Sequence, residues 1–245
     1  MASTAIKSEE EKKEYFDTPE ELDEKVTMLA EMIVLSNKMC FFTGAGISTS
    51  AGIPDYRSGF NTVLETGPGC WESAANKNKY KEEVKKTGKA LPAAQKRDFA
   101  TTMAVAAPTF THMAMVELQN REHLQMIISQ NVDGLHRKSG IHPDKLAELH
   151  GNTNLELCTT CETEQMRDFK VRAAKAAMKH LTGRKCEVAG CKGDLKDSII
   201  NFGDNLNKKI INKAVDFASK ESDLMIAMGS SMRVQPACSL PLQVI

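Results

Sequence analysis

Phe41 to Gly59 reads FFTGAGISTSAGIPDYRSG. An apolar run enters Gly44-Ala45-Gly46, a pattern that lets backbone N–H groups come close to a phosphate and stabilise its charge. Gly-x-Gly alone equally describes a tight strand-to-helix turn. The third glycine, Gly52, comes late, and the stretch continues through Ser48 and Thr49 to Asp55-Tyr56-Arg57. The acid that would hold a ribose about 20 residues on is not evident; Glu65 has the spacing but lies in loop-like sequence. Three further polar clusters stand out: Gln130-Asn131-Val132-Asp133, His150-Gly151 and Gly229-Ser230-Ser231. Amides and a carboxylate suit ribose hydroxyls and a carboxamide, and they equally suit a turn at a strand end. A histidine, with an ordinary pKa of about 6.5, suits a general base at neutral pH. His150 is the candidate; a lone histidine more often serves structure. Cys158-x2-Cys161, 24 residues, then Cys186-x4-Cys191 is metal-ligand spacing. Four thiolates would hold zinc and leave no open position for water, so the metal would be structural.

The elements that must position these residues are legible around them. Thr18 reads as a helix N-cap with Pro19 at the first helical position and Glu21 three after the cap. Leu22, Val26, Leu29 and Ile33 follow at helical spacing. Strands are expected over 38–42, 124–128, 145–149, 198–202 and 224–228, with helices from Thr109 to about Arg121 and from about Lys208 to Ser219. Strands alternating with helices predict an α/β fold with a parallel sheet. GAG, QNVD, HG and GSS each follow the carboxyl end of an expected strand, and those ends form the ligand-binding edge of an open parallel sheet. Motifs far apart in sequence thus converge on one crevice. The expected organisation is a disordered acidic tail over 1–16, a discontinuous Rossmann-like domain over 17–152 and 198–245, and a zinc-binding module inserted over 153–197.

Composition sets the remaining bounds. The 245 residues are 41% hydrophobic, enough for a real core. A formal net charge of zero argues against a wholly basic nucleic-acid binder. The neutrality hides an asymmetry: residues 1–31 hold ten acids and four lysines, whereas 76–97 hold eight Lys/Arg and two Glu. That second stretch, within an irregular loop 58–105, reads either as a solvated face or as a surface for DNA, chromatin or another acidic partner. No run of 18 apolar residues predicts a membrane span, and the start lacks the apolar core of a signal peptide. Seven cysteines, an odd number, predict a reducing compartment, which favours zinc over the alternative of disulfides. Cys40, Cys70 and Cys238 have no partner spacing. His112, His136 and His142 read as mainly structural, and His123 and His180 as surface residues.

GAGISTSAGIPDYR, QNVDGLH, ELHG, four cysteines and GSS, in that order, resemble the sirtuins, the NAD-dependent protein deacylases. QNVDGLHRKSG, KLAELHGN and LKDSIINFGD are most similar to the class IV branch. The resemblance implies that NAD is consumed rather than used to carry hydride, and that the tail after GAG closes over the nicotinamide ribose. It implies NAD contacts for Gly44, Ala45, Gly46, Ser48, Thr49, Asp55, Tyr56, Arg57, Gly229, Ser230 and Ser231, with Arg57 near the ribose and the acyl-lysine. Gln130 would touch the ribose, with Asn131 and Asp133 lining the nicotinamide pocket. Trp71 resembles the class IV tryptophan near nicotinamide, although its longer spacing from Arg57 leaves simple core packing open. The acyl oxygen of an acyl-lysine would attack C1′ of the ribose, and His150 would then activate a ribose hydroxyl. Nicotinamide, free lysine and O-acyl-ADP-ribose would be the products.

By the same resemblance Asn201, Phe202 and Gly203 would pair with the substrate peptide as an added strand; Asp204 stands where the family usually has Glu. Protein substrates would include histones, and the location would be nuclear, with the cytoplasm as alternative. Mono-ADP-ribosyl transfer at the same NAD site is a second reading. A third is a weak, truncated protein that binds NAD or chromatin. The family continues into a strand with an Asn near the adenine ribose and a closing helix, so a chain reading to Ile245 is expected to be a truncated form with weakened adenosine binding.

Overall fold

The computed structural model describes residues 10, 13–59, 62–75, 82, 85–86, 88, 105–172 and 180–244. Most of the expected tail 1–16 and all but four positions of the lysine-rich stretch 76–97 lie outside the described residues, as does part of the loop 58–105. Helix α1 (Pro19–Leu35) opens as expected: the Thr18 hydroxyl accepts from the Glu21 N–H, and the Glu21 carboxylate accepts from the Thr18 N–H. Strand β1 (Met39–Thr43) follows, then a 3-10 turn (Ala45–Ala51) and a short helix α2 (Cys70–Ala75) inside the irregular loop. Helix α3 (Phe110–Asn120), capped by Thr109, precedes β2 (Leu124–Ser129) and the one-turn helix α4 (Leu135–Ser139). The chain continues through β3 (Leu146–Glu148), β4 (Leu155–Cys158), β5 (Glu164–Met166), β6 (Leu181–Lys185) and β7 (Asp194–Asp197). Helix α5 (Lys208–Lys220) and β8 (Leu224–Met228) precede a last 3-10 segment (Ala237–Gln243).

The strands sort into two sheets. One is parallel, in the order β3-β2-β1-β8; the other is antiparallel, in the order β5-β4-β7-β6. Every residue of β1 is buried, as a central parallel strand with both faces covered must be. Its side chains alternate between two cores. Cys40 and Phe42 pack with Met126, Ile128, Ala214 and Phe217 on the α5 face. Met39 and Phe41 pack with Met115, Leu124 and Ile127 on the α3 face. This is the expected Rossmann-like sheet with a small antiparallel module inserted.

Helix α1 forms as expected, and one expected strand is corrected. The apolar stripe of α1 does not enter the core: Leu22, Val26 and Leu29 stay exposed, and of the four only Ile33 packs against the α3-side cluster. The stretch 198–202 is no ladder strand. It is an extended connector held by single bonds, such as Ile200 N–H to the His150 carbonyl at 3.0 Å. Among the described residues no helix is long and apolar enough to cross a membrane.

Candidate active site

The register of the parallel sheet brings the strand ends level. Thr43 pairs with Ser129 on one side and Met228 on the other, and Ser129 pairs with Glu148. The next residues along each strand are therefore Gly44, Gln130, Leu149-His150 and Gly229, side by side. Of these, Gln130, His150 and Gly229 border a cavity of about 330 Å³, as does Ala45 next to Gly44. Ala45, Asp55, Tyr56, Arg57, Trp71, Gln130, Asn131 and His150 line it, as do Asn201, Phe202, Gly203, Gly229, Ser230 and Ser231. Gly44, Gly46, Ser48, Thr49 and Asp133 do not.

Those five build the wall from behind. A Cβ at Gly44 would lie 2.6 Å from the Gly229 carbonyl oxygen, and one at Gly46 would lie 2.7 Å from the Gly229 Cα. Gly229 itself has φ of +61°. The glycines thus let the GAG and GSS turns touch, and Gly46 N–H bonds the Gly229 carbonyl at 2.8 Å. Ser48 is fully buried and donates to Asp133 Oδ2 at 2.7 Å, while Asp133 Oδ1 accepts from the Leu135 N–H. Asn131 Nδ2 donates to the Gly44 carbonyl at 3.1 Å and faces Ser48 Oγ at 3.3 Å. Asp133 therefore holds Asn131 through Ser48 instead of lining the cavity. Thr49 Oγ1 donates to the Gly46 carbonyl. Ser230 Oγ donates to Gln130 Oε1 at 2.8 Å, which ties a third pair of motifs.

His150 stands at the end of β3 with Nδ1 3.0 Å from the Gln130 carbonyl oxygen. A carbonyl only accepts, so Nδ1 carries the proton and Nε2 is left as a base. Burial pushes the pKa of His150 below the ordinary histidine range, against the raising effect of the Gln130 carbonyl. Gly151 follows with φ of +83°, and a Cβ there would lie 2.0 Å from the Ser198 carbonyl oxygen. Only glycine lets the connector 198–200 pass beneath the histidine.

Trp71 reaches the cavity despite its spacing. Cys70 N–H and Trp71 N–H bond the carbonyls of Asp55 and Tyr56, so the segment 69–71 runs back alongside 55–58. The Arg57 guanidinium lies 4.5 Å from the Trp71 ring centroid, and the rings of Tyr56 and Phe202 lie 5.1 and 5.5 Å from it. Tyr56, Arg57, Trp71 and Phe202 thus form a cation–aromatic wall beside the base. Sequence reasoning missed Val132, Ile199, Ile200, Leu206, Val234 and Pro236, which supply much of the apolar lining; their only signal was position beside the polar motifs. Behind this site the buried His136 bonds Thr43 Oγ1 at 2.9 Å, and its ring lies 4.9 Å from that of His112. His180, expected at the surface, is half-buried between Asp197 and Asp204.

Cys158, Cys161, Cys186 and Cys191 meet in the antiparallel module with all Sγ atoms within 4.8 Å of one another. Cys158 to Cys191 and Cys161 to Cys186 are each 3.6 Å. That is far beyond a disulfide bond and close to the separation of about 3.8 Å that four ligands at a Zn–S distance of about 2.3 Å would give. Backbone N–H groups of Thr160, Cys161 and Gly193 point at the sulfurs, as suits thiolates. The donor set fits zinc, and none of the four cysteines borders the cavity.

Comparison with known proteins bears on the whole arrangement. The family model described as "Sir2 family" matches residues 44–236. The NAD-dependent protein deacetylase SRT1 of Arabidopsis thaliana is 41% identical over 231 residues, which are 94% of this chain and 43% of that protein. An NAD-dependent protein deacetylase of Thermodesulfovibrio yellowstonii is 33% identical over 222 residues, 89% of this chain and 79% of that protein. A solved structure of Sir2 with a p53 peptide and NAD+ superposes with a TM-score of 0.57 at 26% identity, covering 89% of this chain and 80% of that one. The chain spans less than half the length of the plant relative it matches. With its strand-end motifs on one cavity and its cysteines on one module, the chain belongs to the Sir2 family.

Proposed function

We propose that this chain is an NAD-dependent protein lysine deacylase in which His150 is the general base. The observation that carries the reading is His150 itself: Nδ1 is committed to the Gln130 carbonyl, and Nε2 stands at a cavity bordered by all four strand-end motifs. When bound, NAD supplies an anomeric carbon with nicotinamide as leaving group, and the acyl oxygen of the substrate lysine is the nucleophile. His150 Nε2 takes the proton of the ribose hydroxyl that attacks the acyl carbon. Asn131 orients the nicotinamide carboxamide, braced by Ser48 and Asp133. Gln130 and Ser230 hold ribose hydroxyls as a bonded pair. The Gly44 and Gly46 N–H groups are taken by the Met228 and Gly229 carbonyls, so Ala45 is the part of the turn that meets the pyrophosphate. Tyr56, Arg57 and Trp71 shield the reacting carbon from water. Asn201, Phe202 and Gly203 at the cavity mouth receive the peptide flanking the acyl-lysine. Zinc on the four cysteines is structural.

Acyl-lysine proteins, histones among them, are the substrates of this reading, and the nucleus is its location. The deacetylase activity of the relatives and the p53 peptide in the superposed structure support the substrate class. The test incubates the purified zinc-loaded protein with NAD and histone peptides carrying lysine acyl groups of several lengths, read by mass spectrometry. Deacylated peptide and O-acyl-ADP-ribose are expected in equal amounts. His150→Ala should lower turnover by about 10² or more with the fold and zinc content retained. Wild-type turnover in that variant would overturn the role of His150, and ADP-ribosylated peptide in place of deacylated peptide would overturn the reaction class.

A further inference from the structure

We infer that His180 is a positioning residue that fixes how the turn 201–204 presents itself to an acyl-lysine peptide. The inference rests on the deacylase reading and deepens it. His180 leads into β6 with φ of +53°, a left-handed conformation that a non-glycine residue holds only where its surroundings stabilise it. Those surroundings are charged. Its Nδ1 lies 3.1 Å from Asp197 Oδ1 of β7, and its Nε2 lies 3.3 Å from Asp204 Oδ2. Each ring nitrogen thus sits between a carboxylate oxygen, which only accepts, and an N–H donor, Arg172 Nη2 at 3.4 Å from Nδ1 and the Asn201 amide at 3.3 Å from Nε2. Arg172 closes the network, with Nε donating to Asp197 Oδ2 at 3.1 Å and Nη1 donating to Asn201 Oδ1 at 3.0 Å. Asp204 Oδ2 also accepts from the Asn201 N–H at 2.7 Å and from its side-chain amide at 2.8 Å. The side chains of Arg172, Asp197, Asn201 and Asp204 thus surround the imidazole.

Asn201 and Asp204 both line the mouth of the cavity, together with Phe202 and Gly203 between them. The turn belongs to no sheet ladder. It is tied through His180 and Arg172 to Asp197, which is almost fully buried in the cysteine-bearing module. The module thereby sets the position of the peptide-facing backbone, while the strand-end motifs that would bind NAD sit on the other sheet. Loss of the bridge should weaken peptide engagement and spare NAD.

Asn is the informative substitution, because it also adopts left-handed backbone and so removes the bridge without adding strain. The test compares wild type, His180→Asn, Asp204→Ala and the double variant, all zinc-loaded, with NAD and an acetyl-lysine histone peptide. Each single variant should raise the peptide KM about fivefold to tenfold, the effect of losing a partly exposed charged hydrogen bond. The NAD KM, the zinc content and the thermal midpoint should stay at wild-type values, and the double variant should be no worse than the worse single one. Unchanged peptide KM in His180→Asn, or NAD KM and thermal midpoint shifting along with it, would overturn the inference; so would additive effects in the double variant. Peptide affinity by fluorescence anisotropy reads the same positioning without turnover: unchanged affinity in His180→Asn overturns the inference. Absence of turnover in wild type instead counts against the deacylase reading.

Discussion

His150 and His136 are both histidines at the sheet's carboxyl edge, and their surroundings give them opposite uses. His150 keeps one nitrogen facing the cavity, and burial holds its pKa below the ordinary histidine range. In the proposed reaction the neutral ring is the base, so activity should be retained above that pKa and lost as pH falls through it. The acidic limb of kcat/KM is therefore expected below about pH 6.5, the ordinary histidine value; a limb at or above that pH would contradict the burial argument. His136 has no such outlet. It is 2% exposed, and burial, with the neighbouring His112, pushes its pKa down to about 3. The folded state therefore holds the ring neutral while the unfolded chain binds a proton below about pH 6.5. Stability from this site is fully present above that pH and is lost progressively as pH falls toward 3. A variant that cannot titrate, His136→Gln, should be less stable at pH 7.5 but should lose less on acidification. Urea midpoints at pH 7.5 and 5.5, with zinc content monitored, check this, and parallel losses in both proteins would rule it out.

Strands β1, β2 and β8 were legible because a buried parallel strand needs a continuous apolar run, and each ends at a polar motif. The capping box of α1 was legible because two side chains and two N–H groups define it locally. What failed to read was non-local. The connector 198–202 has strand composition, but the elements beside it leave only single backbone partners. Ser48 and Asp133 belong to the site's motifs, yet their bracing role depends on which side chains meet behind the wall. His180 carries no local signal at all; Asp197 and Asp204, both distant in sequence, make its place. The same holds for Glu156 on β4, which is fully buried with Arg167 and Arg184 Nε atoms each 2.7 Å from its carboxylate. Burial raises its pKa, but hydrogen bonds from Thr182, Arg167 and Arg184 outweigh that and hold it low. Glu156→Gln would leave two guanidinium groups facing a neutral amide in the interior of the module. Removing one partner of a buried ion pair costs roughly 3–5 kcal/mol. Zinc affinity measured by chelator competition should fall accordingly, and an unchanged affinity would show that the triad does not support the metal site.

The two sheets have separate cores, and this decides how the molecule should respond to loss of metal. The parallel sheet carries an apolar cluster on each face, built from long side chains such as Phe42, Met39, Ile128 and Leu124. Among the described residues the module's own cluster is Leu195 with Cys158, Cys186 and Cys191, so three of its four members belong to the four-cysteine group that fits zinc. So small a core leaves metal binding as the main source of the module's folding energy. Chelation should therefore unfold residues near 155–197 while the parallel sheet persists. The effect should then reach the cavity mouth, because the connector 198–200 and the turn 201–204 follow directly from β7 and are held by Asp197. His150, Gln130, Asn131 and Ser230 stay on the intact sheet. On the proposed function the order of loss follows: peptide affinity should fall first, and NAD affinity should outlast it. Hydrogen exchange under a zinc chelator is the measurement, with peptide and NAD affinities taken on the same sample. Amides of β4–β7 should lose protection while those of β1 and β2 keep it. Simultaneous loss of protection in both sheets would mean that the module and the parallel sheet fold as one cooperative unit, and the separation of peptide from NAD binding would go with it.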